Sequence, residues 1–111
     1  MRLLPVAGLL LALAAPAHAE TANAETLRQV IAHGVVIVTP DLLIDVTFSA
    51  DGTFTALRGA SHGIWRIDGE KLCSTPSETL IESCGVYPAG KKSGDTFAVA
   101  APGGDVTIRI R

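Results

Sequence analysis

Few residues of this 111-residue chain combine the types and spacing that chemistry needs. Ser61 directly precedes His62, placing a nucleophile beside a base in the sequence. Neighbours in an extended segment point to opposite faces, so the two make a poor catalytic pair, and His62 reads as an exposed loop histidine. Asp41 and Asp45 lie four residues apart in a strand-like segment, where two carboxylates could share a cation or a proton; their plainer role is to keep an outer face wet. Lys91 and Lys92 occupy a Gly-flanked loop, but neither Walker spacing nor a following helix directs them to phosphate. No catalytic set and no cofactor are expected.

Cys73 and Cys84 are the two cysteines, and their reading depends on the compartment. The first nineteen residues have the pattern of a secretory signal peptide. Arg2 supplies a positive start, Leu3 to Ala15 an apolar run, and Pro16, Ala17, His18 and Ala19 a cleavage region of Ala-x-Ala type before Glu20. The apolar run is too short for a membrane span, which takes about 20 residues. No cysteine follows it for lipid attachment, and no arginine pair marks twin-arginine export. Cleavage is expected after Ala19, sending the chain to the periplasm or the medium. Two cysteines in an oxidising compartment read as one disulfide. Its loop of about a dozen residues is worth roughly 2.5 to 3 kcal/mol in the chain-entropy account. The spacing is too wide for a Cys-x-x-Cys redox pair, and His33 and His62 show no metal-ligand spacing with the cysteines, so no metal site is expected.

Glu20 to Arg111 then forms a single small domain. Without Arg2, eight Lys and Arg face eleven Asp and Glu, and the basic residues are scattered along the chain. Nucleic acid and anionic membrane are poor partners for such a surface. The mature segment contains no transmembrane stretch.

The elements that must position any site are mostly strands. Ala24 to His33 is the one helical segment: Asn23 can cap it, Leu27, Val30 and Ile31 share a face, and Gly34 can end it in a left-handed conformation. From Val35 onward the pattern alternates. Ile44, Val46 and Phe48 face one side and Asp45, Thr47 and Ser49 the other. Asp51-Gly52 and Asp68-Gly69 read as hairpin turns, the first preceding a strand at Thr53 to Leu57 and the second lying between Gly63 to Ile67 and Glu70 to Ser74. A loop at Thr75 to Ser77 leads to Thr79 to Glu82 and Ser83 to Tyr87, read as one strand interrupted near Cys84. Asp95 to Ala100 and Val106 to Arg111 complete the set. The fold class is therefore mainly β, an antiparallel up-and-down meander of seven or eight short strands with one N-terminal helix. Whether it closes into a small barrel or stays a half-barrel is left open.

Gly63-Ile64-Trp65-Arg66-Ile67-Asp68-Gly69, followed by Leu72 and Cys73, forms a Gly-x-Trp strand, an Asp-Gly turn and a Leu-Cys strand. With Cys84 and the run Tyr87 to Asp95, this resembles small exported bacterial β-proteins of domain-of-unknown-function type, over roughly Phe48 to Phe97. The resemblance implies a fold and a compartment and carries no activity. Gly-x-Trp is also similar to the lipocalin motif, but it lies mid-chain here, so the likeness is one of architecture.

Trp65, beside Gly63 and in register with Ile67, is expected to anchor the core; its alternative role is to stack on a ligand at a barrel mouth. Trp65, Arg66 and His62 form the candidate ligand-binding set. Arg66 should point to the opposite face, and Arg58 or Arg109 could pack across the indole. Two functions fit: a non-enzymatic binding protein for a small apolar ligand or lipid, or a protein-interaction module such as an inhibitor or accessory subunit of an exported hydrolase. The first requires an apolar pocket of a few hundred Å³ beside Trp65. The second requires a filled core and an exposed apolar patch. Eight strands leave only enough width for their own side chains, so a filled interior is expected.

Overall fold

A computed structural model of the chain describes residues 20–111; the expected signal peptide and its cleavage site after Ala19 lie outside the described residues. Helix α1 (Ala24–His33) leads into eight strands: β1 (Val35–Val38), β2 (Leu43–Phe48), β3 (Thr53–Ala56), β4 (Ser61–Asp68), β5 (Lys71–Pro76), β6 (Ser83–Val86), β7 (Thr96–Ala101) and β8 (Gly104–Ile110). Each strand pairs antiparallel with the next, and β1 pairs with β8 through Val35 opposite Ile110 and Ile37 opposite Ile108. The meander is therefore a closed barrel, and closure removes the free edges that a half-barrel would expose.

Successive strands alternate in direction, so the connections fall into two groups. The β2–β3, β4–β5 and β6–β7 connections lie at one end, with the junction from α1 into β1. The β1–β2, β3–β4, β5–β6 and β7–β8 connections lie at the other.

Helix α1 closes the first end. Leu27 and Val30 join the core formed by Val35, Val46, Phe54, Leu72, Tyr87, Val99, Ile108 and Ile110. Asn23 departs from its expected role. It precedes the helix but makes no capping bond; its buried side chain instead donates to the carbonyls of Glu70 and Tyr87, at 2.9 and 2.8 Å. The β6–β7 connection straps the helix from the other side, with Lys91 N donating to the buried Thr26 Oγ1 at 3.0 Å and Ser93 N to Gln29 Oε1 at 3.2 Å. Gly34 does end the helix at φ 76°, its N–H donating to Val30 O at 2.8 Å.

Two element boundaries differ from the sequence reading. β5 continues through Thr75 and Pro76, where a loop was expected. Residues 79–82 do not extend β6: Leu80 takes φ 58° and its N–H closes a turn onto Pro76 O at 2.8 Å. A left-handed leucine cannot continue a strand.

Candidate functional site

Alternation along each strand decides which side chains face the barrel axis. Val35 and Ile37 on β1, Ile44, Val46 and Phe48 on β2, Phe54 and Ala56 on β3, Val99 and Ala101 on β7, and Val106 and Ile108 on β8 give an aliphatic and aromatic wall. The remaining wall, from β4 to β6 and the residue after it, presents Ser61, Leu72, Ser74, Pro76, Ser83, Gly85 and Tyr87. Between them lies a cavity of about 370 Å³. Leu57, Pro76 and Ala101 place its mouth at the end opposite α1, and no residue of α1 lines it.

This cavity overturns the expectation of a filled interior. Eight strands leave room for side chains of ordinary size, but Ala56, Ser61, Ser74, Ser83, Gly85 and Ala101 are all small. At Gly63 a Cβ would collide with Thr75 O and lie 2.9 Å from both Pro76 Cα and the Phe54 ring, so this glycine is required first by the close approach of the β5 backbone and also leaves room for Phe54.

Trp65 is half-buried at the helix end and packs against the core. Its indole stands edge-on to Phe48 with centroids 6.2 Å apart, and Nε1 donates to Ser49 O at 2.8 Å. Among the described residues the aromatic partner of the indole is thus Phe48, in place of the arginine suggested by the sequence. Together with Ile67, Gly69 and the helix residues Ala24, Leu27, Arg28 and Ile31, Trp65 lines an open groove of about 550 Å³. This groove is separate from the barrel cavity.

Arg66 and His62 occupy outward positions on β4 and are exposed. Arg66 donates to both carboxylate oxygens of Glu82, at 2.7 and 3.0 Å. His62 Nδ1 lies 3.5 Å from Ser77 Oγ. Neither these two nor Trp65 lines the barrel cavity. Ser61 and His62 do point to opposite faces, since Ser61 lines the cavity and His62 the exterior. Glu78 is held below its ordinary range by its own backbone N–H first, then by the Ser61 hydroxyl, with a smaller contribution from His62.

The other candidate groups are dispersed. Asp41 lies in the β1–β2 connection and Asp45 on the outer face of β2, both exposed. Lys91 and Lys92 belong to the strap over α1, and their backbone N–H groups are taken by Thr26 Oγ1 and Asp95 Oδ2. Cys73 and Cys84 form a disulfide between directly opposed residues of β5 and β6. Glu82 lies close to both sulfurs, but their bond leaves no thiolate for a metal.

The sequence reading missed Tyr87 as a cavity residue. It is 8 % exposed and stands edge-on to Phe97, with centroids 5.9 Å apart. The available signal was parity, since Ser83, Gly85 and Tyr87 recur at every second position of one extended segment. The mouth was also unforeseen. Leu42, Leu57, and Leu80 and Ile81 project from three connections at the open end, beside Leu43 at the start of β2, each at least 47 % exposed. Leu57 and Leu80 are held at φ 52° and 58°, a conformation that costs a leucine about 1 to 2 kcal/mol.

No helix of the described residues is long and apolar enough to cross a membrane. No protein-family model, curated protein or solved structure matches the chain.

Proposed function

We propose that this chain is a non-enzymatic periplasmic or secreted binding protein that holds a small apolar ligand or lipid inside its barrel, lipocalin-like in architecture alone. The observation that carries the reading is the cavity of about 370 Å³, apolar along most of its wall and open at one end. Ligand sites of small molecules are typically concave, mainly apolar, and about 300 to 1,000 Å³ in volume. The helix, strapped by Asn23 and by residues 91 and 93, favours entry from the opposite end. There the leucine rim extends the apolar lining outward, since Leu57 belongs to both. The barrel cavity is favoured over the groove beside Trp65 because its eight-strand wall surrounds a ligand.

Purification from the native envelope followed by native mass spectrometry tests the reading. A retained lipid or metabolite in one-to-one ratio supports it, and a stoichiometric protein partner with an empty barrel would refute it.

One observation favours the second reading, an interaction module such as an inhibitor or accessory subunit of an exported hydrolase. Leu80 and Ile81 are 78 % and 70 % exposed, the kind of apolar patch that protein partners cover. The stoichiometric partner in the same experiment would establish that reading instead.

A further inference from the structure

The polar groups of the cavity all lie on one side. Ser74 and Ser83 are directly opposed on β5 and β6, with inward parity, and Tyr87 continues the inward column of Ser83 and Gly85 toward the base. Gly85 has no room for a side chain, because a Cβ there would lie 2.6 Å from Val99 Cγ1. The opposite wall, from β7 through β8 to β3, carries hydrocarbon alone, and no charged residue among those described lines the cavity.

Tyr87 is more than nine-tenths buried, burial pushes its phenol up to about 12, and its hydroxyl makes no hydrogen bond to another of the described residues. The hydroxyl therefore stays protonated at neutral pH and is a donor. A buried donor lacking a partner costs free energy, and an oxygen acceptor on a ligand would remove that cost.

We propose that the cavity selects an uncharged amphiphile, a hydrocarbon chain bearing a single neutral oxygen that accepts from the Tyr87 hydroxyl. This rests on the ligand-binding reading above and specifies the chemistry of that ligand. A carboxylate is disfavoured, because the lining offers no cation to offset its desolvation. A plain alkane leaves the phenol unpaired.

The test uses N-phenyl-1-naphthylamine as a fluorescent occupant of the barrel, displaced in turn by 2-undecanone, undecane and undecanoate. The ketone is expected to displace the dye at the lowest concentration. Tyr87→Phe should weaken the ketone about 3- to 10-fold, the range of one net hydrogen bond, and leave undecane unchanged. Without ligand this variant should melt no lower than the parent, because the hydroxyl it removes has no partner among the described residues. As a measurement on the parent chain, the carbonyl stretch of bound 2-undecanone should fall below its frequency in hexane.

Dye binding with equal displacement by ketone and alkane, or with an unshifted carbonyl stretch, overturns the proposal and leaves the ligand-binding reading intact. Tightest displacement by undecanoate also overturns it. Failure of dye, ketone and alkane alike to bind a cooperatively melting protein removes both.

Discussion

The side-chain amide of Asn23 donates to the carbonyl of Tyr87 at 2.8 Å, joining the start of the helix to the base of the cavity. A second bond from the same nitrogen reaches Glu70 O at 2.9 Å, and Thr21 Oγ1 donates to Asn23 Oδ1 at 2.9 Å. One buried amide thus holds the closed end together from three directions.

Asn23→Ala should therefore lower stability by about 1 to 3 kcal/mol, the cost of leaving buried polar groups unpaired. Asn23→Asp distinguishes this role from capping. An aspartate caps helices as well as asparagine, but it cannot donate, and it would set a charge against two carbonyls. Urea melts should show Asp at least as destabilising as Ala; a neutral Asp variant would assign Asn23 to capping.

The disulfide should carry a substantial share of the stability of so small a domain. Cys73 is fully buried and its partner is eleven residues away, directly across the β5–β6 ladder. Replacing both cysteines by alanine should cost about 2 to 3 kcal/mol in denaturant melts. Dithiothreitol should have a similar effect on the parent and none on the variant. Equal midpoints for the parent and the variant would refute this.

Glu82 should titrate below its ordinary value of 4.5, because the Arg66 guanidinium donates to its carboxylate. A carboxyl group whose pKa is lower in the folded state stabilises the fold above its unfolded pKa, and this contribution disappears as pH falls through the folded pKa. The relevant window is thus the acid side of pH 4.5. Carbon NMR of the Glu82 carboxyl should place its midpoint there, and Glu82→Gln should flatten the acid limb of the stability profile. A midpoint at or above 4.5 would show that the ion pair does not persist in solution; both side chains are partly exposed.

Local features were legible in the sequence where neighbouring residues determine them. Helix α1 has the bounds that the spacing of Leu27, Val30 and Ile31 and the stop at Gly34 implied. The alternation of Ile44, Val46 and Phe48 identified the inner face of β2. Barrel closure was not legible, because it depends on Val35 meeting Ile110 at the other end of the chain, and β1 reads the same in an open sheet. Residues 79–82 have a strand-like composition, and only the left-handed backbone of Leu80 shows them to be a turn.

The candidate site was less legible. Gly-x-Trp drew attention to β4, but parity and helix packing put Trp65 at the closed end and Arg66 and His62 outside. The cavity depends on the summed volumes of small side chains from several strands, including Ala56, Ser74, Ser83 and Ala101. No local pattern reports that sum.

The most direct test of the central claim is a fluorescence titration with N-phenyl-1-naphthylamine, comparing the parent chain with Ala101→Trp. Ala101 is half-buried on the cavity wall near the mouth, where an added indole fills space that the parent leaves empty. The account predicts saturable one-to-one binding to the parent and at least about a tenfold loss in a variant that still melts cooperatively. Absence of binding to the parent, or undiminished binding to the variant, would contradict it.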